Sequence, residues 1–139
     1  MDDPFDLVRF VEAQDSIYAR VLDELRAGRK RSHWMWFIFP EIKGLGTSPM
    51  AKRYAISGRA EAEAYLRHPL LGPRLRECTK LLITAPHGSI ESILGHPDDL
   101  KFRSSMTLFA NTAADNAEFM AALKKFYGGA FDQVTLERL

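Results

Sequence analysis

Two short segments of this 139-residue chain combine side chains that could bind or transform a ligand. In the first segment, two cations precede a histidine and two indoles, namely Lys30, Arg31, His33, Trp34 and Trp36. An indole can stack on a planar ring while neighbouring cations hold an anion, and His33 is the only candidate for general acid or base chemistry. The competing interpretation places both tryptophans in the core and His33 at an element boundary.

The second segment contributes Lys101, Ser104 and Ser105. A helix over 97–112 would be apolar on more than one side, so these polar groups need partners. Leaving one buried and unpaired costs about 1–3 kcal/mol. The partner could be a ligand or the protein itself, since serine can bond the carbonyls of its own helix. A shared binding site requires the two segments to meet in space.

Other chemistries find little support in the sequence. The four histidines show no i, i+4 pair and no HExxH motif, so no metal site is predicted. Cys78 shares an apolar stripe with leucines, which indicates a core residue. No nucleotide-binding fingerprint or nucleophile elbow is present, and no cofactor is indicated. The glycines of 44–49 could cradle a phosphate, or simply form a loop before a helix cap.

Charge is distributed unevenly along the chain. The net charge is +1, but residues 26–59 carry eight basic side chains and one acidic one, whereas residues 1–25 carry two basic and seven acidic. We call 26–59 the basic island. It could face the acidic first segment within the fold, bind a phosphate or carboxylate, or contact nucleic acid, although so short a stretch supplies few phosphate contacts.

Helical periodicity dominates the elements that must position these residues. The pattern predicts one all-α domain over 1–139, with about seven to eight helices and no sheet. The first helix is expected to begin at Asp3 and Pro4, as cap and first residue. The apolar run 33–39 resembles a strand by propensity, but it lacks a partner strand and is interpreted as a short buried helix. The other helices are expected near 15–27, 59–67, 71–86, 89–94, 97–112 and 119–127. Ser89 is expected to cap the helix near 89–94, and Asp132 is expected to cap a final turn through Leu139.

Several strings along nearly the whole chain match a known family. They are Asp6-Leu7, Arg9-Phe10, Ala13-Gln14, Gly28-Arg29-Lys30, Ser32 to Pro40, Gly44-Leu45-Gly46, Tyr65-Leu66, His68-Pro69, Leu71-Gly72, Arg74-Leu75, Lys101 and Ser104 to Phe109. The sequence resembles an uncharacterised bacterial family of all-helical proteins, catalogued as a domain of unknown function, some of whose members carry the label calpastatin. The resemblance implies a compact all-α fold, loosely like a fragment of a helical-repeat protein, and no established reaction. Glu41 stands where relatives often have Gln, and Phe102 where they often have Leu.

The sequence does not determine the function, and whether the protein is an enzyme stays undecided. The favoured hypothesis is a binding domain for a small anionic or nucleotide-like ligand, with or without turnover. The alternatives are a helical protein-interaction module and, less favoured, a nucleic-acid-binding protein. The acidic start does not resemble a signal peptide and no run is long enough to cross a membrane, so we expect a cytoplasmic protein with no membrane partner.

Overall fold

Helices account for nearly all regular structure in the computed structural model, which describes residues 2–86 and 88–139. Ten α-helices lie within those residues, and no strand does. They are α1 Val8–Asp15, α2 Tyr18–Arg26, α3 Met35–Ile38, α4 Pro49–Arg53, α5 Arg59–Arg67, α6 Leu71–Thr84, α7 Ile90–Leu94, α8 Asp98–Ala110, α9 Ala117–Tyr127 and α10 Gln133–Arg138. The all-α prediction is confirmed, and so is the short buried helix before Pro40.

Local chemistry explains where the short helices begin. Ser48 and Ser89 accept hydrogen bonds from the backbone N–H groups of Ala51 and Ser92, three residues on, and so cap α4 and α7. The interpretation of 44–49 as a loop before a helix cap agrees with Ser48 and α4, although the extent of this short helix was not predicted because it has no periodic apolar face. At the other end of a helix, α9 terminates where Gly128 adopts a left-handed conformation with φ 63°.

The first helix begins later than the sequence indicates. We expected Asp3 as its cap and Pro4 as its first residue, but α1 starts at Val8. The Asp3 carboxylate accepts instead from the backbone N–H groups of Leu7 and Val8, at 2.8 and 3.1 Å, across an intervening turn. Asp6 lies in that turn with φ 52°, a left-handed conformation that aspartate tolerates better than most residues.

The buried side chains form one hydrophobic cluster to which every helix except α4 and α10 contributes a buried apolar residue. Helix α8 lies deepest, with eight buried residues, and it packs against α7, α9 and α10. Its expected apolarity on more than one side is confirmed. No helix within 2–86 or 88–139 combines the length and apolarity that crossing a bilayer requires.

Helix α10 is attached to α8 by the carboxylate of Asp132. This carboxylate accepts from Thr135 N–H and Thr135 Oγ1 at 3.1 and 2.6 Å, and it lies 3.3 Å from Ser104 Oγ. We expect Asp132→Ala to lower the free energy of unfolding by about 2 kcal/mol, because a cap and an inter-helix contact are lost together. Urea denaturation measures this, with the exposed neighbour Gln133→Ala as control. Equal losses in both variants would contradict the assigned role of the carboxylate.

Candidate functional site

A cavity of about 640 Å³ opens between the start of α1, helix α3 and the segment 41–57. Its volume falls within the range of roughly 300–1,000 Å³ typical of small-molecule sites. Apolar and aromatic side chains form most of the wall, and charged side chains complete it. The lining residues are Phe5, Asp6, Arg9, Met35, Trp36, Phe39, Glu41, Ile42, Lys43, Gly44, Gly46, Ala51, Lys52, Arg53, Tyr54, Ala55, Ser57, Glu61 and Lys101.

Two backbone hydrogen bonds fix the segment that forms most of this wall. Lys43 N–H donates to Ile56 O at 2.8 Å, and Ile56 N–H donates to Glu41 O at 2.9 Å, forming an isolated parallel bridge between Ile42 and Ile56. The chain between them leaves the core, forms α4 and returns. Glu41 and Lys43 are therefore held at one side of the cavity by a pairing that no local sequence pattern indicates.

Arg9 holds the opposite side together. Its guanidinium donates to the carbonyls of Phe5, Asp6, Arg53 and Ala55 at 2.6–3.0 Å, and to Glu61 Oε2 at 2.8 Å. These bonds join the start of α1 to Arg53, the last residue of α4, to Ala55 just after it, and to Glu61 of α5. Because the donors of Arg9 are occupied in this way, Arg9 shapes the cavity and offers little to a ligand.

Glu41 is the titratable group of the cavity whose environment is most unusual. Burial raises the pKa of its carboxyl to about 7, against the opposing influence of the Lys101 ammonium and the Ser104 hydroxyl. The carboxylates of Asp132 and Asp98 add to the rise. A carboxyl with this pKa exchanges a proton readily near neutral pH, which is the property of a general acid or base.

The two segments singled out in the sequence do meet, as their shared site requires. Lys101 Nζ lies 5.5 Å from the centre of the Trp36 ring, and both residues line the cavity. Phe39 and Phe102 stack edge to face beside them, with ring centres 4.9 Å apart. Trp36 Nε1 is buried and has no hydrogen-bond partner among residues 2–86 and 88–139.

Trp34, Lys30 and Arg31 lie outside the cavity, contrary to the expected grouping. Trp34 is fully buried, and its Nε1 donates to Glu24 Oε1 at 2.9 Å. Lys30 pairs with Asp98 at 2.9 Å and covers the Trp34 ring at 5.2 Å, so its charge serves the fold. The competing interpretation, a core tryptophan, therefore holds for Trp34 and does not extend to the half-buried Trp36.

The remaining candidates also lie off the lining. His33 is exposed and does not face the cavity, so the geometry gives it no role as an acid or base there. Ser104 Oγ bonds Leu100 O at 3.2 Å within its own helix, as one reading of the sequence allows. Ser105 is fully buried, and its hydroxyl has no partner in the described part of the chain.

The basic island faces the acidic first segment in places, since Asp6 lines the cavity with Lys43, Lys52 and Arg53 and Glu24 accepts from Arg31 N–H, but no ion pair joins the two in the described residues. Within the described residues, the one ion pair formed by the island joins Lys30 to Asp98 of α8. Lys43, Lys52 and Arg53 line the cavity without a carboxylate within 4.0 Å in the same part of the chain. An anion site is one of the roles expected for the island, but no sequence pattern indicates that these three residues surround a cavity. No cluster of three or more His, Cys, Asp or Glu within 2–86 and 88–139 could hold a metal ion.

Comparison with known proteins agrees with the resemblance found in the sequence. The crystal structure of the conserved hypothetical protein Rv1873 from Mycobacterium tuberculosis is similar to this structure, with a TM-score of 0.97 and 59% identity, over 99% of this chain and 98% of that one. A search of curated proteins finds no match. A family model described as a protein of unknown function matches residues 4–139. The chain therefore belongs to the DUF1810 family.

Proposed function

We propose that the cavity binds a small anionic ligand that carries a planar ring, of the kind a nucleotide presents. The observation that carries this proposal is the combination of an aromatic wall with Lys43, Lys52 and Arg53, which lack carboxylate partners in the described residues. These three side chains are exposed, and cations grouped at the mouth of an apolar cleft attract an anion to it.

The charge balance of the lining favours an anion over a cation. Five cationic side chains and three carboxylates line the cavity, and one of those carboxylates, Glu61, is already paired with Arg9. Cations also occupy positions over two aromatic rings of the wall, since Lys101 lies 5.5 Å from the Trp36 ring centre and Arg53 lies 5.5 Å from that of Tyr54. A cationic ligand would have to compete with both.

The aromatic part of the cavity wall suits the planar ring of such a ligand. Phe5 and Trp36 are the partly exposed aromatic residues of the wall, and a flat ring can pack against them. The Glu41 carboxyl, with its pKa near neutrality, gives the cavity a group able to move a proton if the ligand is also a substrate. Binding is the proposal, and turnover would be measured on whichever ligand binds.

The test compares the removal of one charge at the cavity with the removal of one elsewhere. Lys52→Gln is expected to weaken binding of a nucleotide or sugar phosphate by about tenfold, because a charged contact contributes roughly 1.5–3 kcal/mol. Lys124→Gln removes the same charge from an exposed site on α9 outside the cavity and should leave affinity unchanged. Thermal shift identifies binders from a panel of nucleoside monophosphates, sugar phosphates and inorganic phosphate, and calorimetry then measures affinity.

Salt separates this proposal from nucleic-acid binding. A mononucleotide held in the cavity should lose only a few-fold in affinity between about 50 mM and about 200 mM salt, whereas an oligonucleotide on a basic surface loses far more. The proposal fails if no small phosphate ligand raises the melting temperature of the cooperatively unfolding protein. It fails equally if Lys124→Gln and Lys52→Gln weaken binding to the same extent.

A further inference from the structure

Glu24 and Glu61 are the buried glutamates of the described residues, and both are fully used by the protein. Glu24 accepts four hydrogen bonds, from Arg31 N–H, Ser32 N–H, Ser32 Oγ and Trp34 Nε1. Glu61 accepts from Ser57 N–H and Ser57 Oγ and pairs with Arg9. A buried carboxylate normally requires such donors, because losing its hydration is costly.

Glu41 differs from Glu24 in lining the cavity, and it differs from Glu61, which also lines it, in forming no ion pair within 4.0 Å in the described part of the chain. The two nearby polar groups that favour the ionised form of Glu41, Lys101 and Ser104, also have other partners. Lys101 Nζ lies 3.7 Å from Asp98 Oδ1 and covers the Trp36 ring. Ser104 Oγ bonds Leu100 O and contacts the Asp132 carboxylate.

The charged groups that face Glu41 explain why a further donor would be favourable. Helix α8 presents Lys101 and Asp98, and the residue before α10 presents Asp132. Two carboxylates and one ammonium therefore surround a third carboxyl, and burial together with those carboxylates raises the pKa of Glu41 to about 7. A neutral N–H donor entering from the cavity would stabilise the ionised form without adding charge.

We infer that Glu41 accepts hydrogen bonds from the edge of the bound ring, and that the ligand is a heteroaromatic compound with adjacent ring N–H and amino donors, such as a guanine nucleotide. This inference rests on the proposed function, because it names the class of ring that the same cavity takes. Ionised carboxylate has two acceptor oxygens and matches a pair of parallel N–H donors. Guanine presents such a pair, hypoxanthine lacks the amino group, and adenine presents an acceptor beside its amino group.

The experiment measures the affinities of GMP, IMP and AMP for the full chain by calorimetry near pH 8. The wild-type protein is expected to bind GMP at least tenfold more tightly than IMP or AMP, since a site built for a donor rejects the analogue that lacks it. Glu41→Gln replaces one acceptor oxygen with an NH₂ group at nearly constant shape, and it should remove most of the preference for GMP over IMP. Glu137→Gln, an exposed glutamate of α10, is the matched control and should keep the preference.

A pH series tests the same contact without a variant. The ratio of GMP to IMP affinity should rise between about pH 6 and about pH 8, because the carboxylate that accepts both donors forms over this range. Both nucleotides carry the same phosphate, so its own titration cancels in the ratio.

The possible outcomes distinguish a failure of this inference from a failure of the proposed function on which it rests. Equal affinity for GMP, IMP and AMP in the wild-type protein overturns the role of Glu41 and leaves an anion site intact. The role of Glu41 is also overturned if Glu41→Gln keeps the preference for GMP, or if the ratio of GMP to IMP affinity does not change with pH. If none of the three nucleotides binds, nor any other phosphate ligand, the proposed function itself is lost.

Discussion

Replacing Glu24 with alanine is expected to lower the free energy of unfolding by about 4 kcal/mol. The Glu24 carboxylate is only 7% exposed and accepts four hydrogen bonds from the loop that leads into α3. Its loss leaves Trp34 Nε1 buried without a partner, which alone costs about 1–3 kcal/mol, and frees two backbone N–H groups. Urea denaturation at neutral pH measures the change.

The control is Asp23→Ala, which removes an exposed carboxylate from the neighbouring position of the same helix and should change stability by less than about 0.5 kcal/mol. Glu24→Gln retains one acceptor oxygen, so its loss of stability should lie between those of Glu24→Ala and Asp23→Ala. If Glu24→Ala and Asp23→Ala are equally stable, the loop is held by its apolar contacts and not by the carboxylate.

Acid provides an independent measurement of the same group. Burial alone would raise the pKa of Glu24, but the bonds from Ser32, Arg31 and Trp34 outweigh it and lower the pKa to about 2. The stabilisation is therefore complete above the ordinary value near 4.5 and is lost as the pH falls from there toward 2. Glu24→Ala should show a shallower loss of stability than the wild type over that window.

The sequence predicts most of the helices because their signals are local. Apolar spacing and a capping residue lie within one segment, as at Ser89 of α7 and Asp132 of α10, and both caps form as expected. The predicted start of the first helix is wrong, and the reason is also local. The left-handed Asp6 inserts a turn between Asp3 and the helix, and a carboxylate that caps from four residues away looks the same in sequence as an ordinary N-cap.

The candidate site is less predictable because it depends on pairings between distant segments. Nothing near Trp34 and Trp36 in the sequence distinguishes them, since the carboxylate that accepts from Trp34 Nε1 belongs to Glu24, ten residues earlier. In the sequence, Glu41 stands out only as the single acidic residue of the basic island and as a departure from the family's pattern. Its environment depends on the bridge to Ile56, a single pair of hydrogen bonds that no periodicity indicates.

A second large loss of stability is expected for Gly72→Ala, about 3 kcal/mol. Alanine normally stabilises a helix by about 1 kcal/mol relative to glycine, so propensity alone predicts a gain. At this position in α6, however, an added Cβ would lie 2.2 Å from the carbonyl oxygen of Leu66 and 3.0 Å from its carbon. These are backbone atoms, which cannot rotate away, so α5 and α6 would have to separate.

The separation should also reach the cavity. Leu66 follows Tyr65, whose hydroxyl lies 3.1 Å from Gln14 Nε2, and Gln14 Nε2 donates to Phe37 O of α3 at 2.7 Å. Displacing α5 therefore strains the hydrogen bond that positions α3, so Gly72→Ala should weaken the binding of any ligand in the cavity as well as the stability of the fold.

Gly58→Ala is the matched control, because Gly58 has an extended φ of 167° and open space around its Cβ position. Its cost in stability should stay below about 1 kcal/mol. Chemical denaturation of both variants measures the change in the free energy of unfolding. If Gly72→Ala is more stable than the wild type, α5 and α6 can separate without a loss of stability, and helix propensity dominates where they meet.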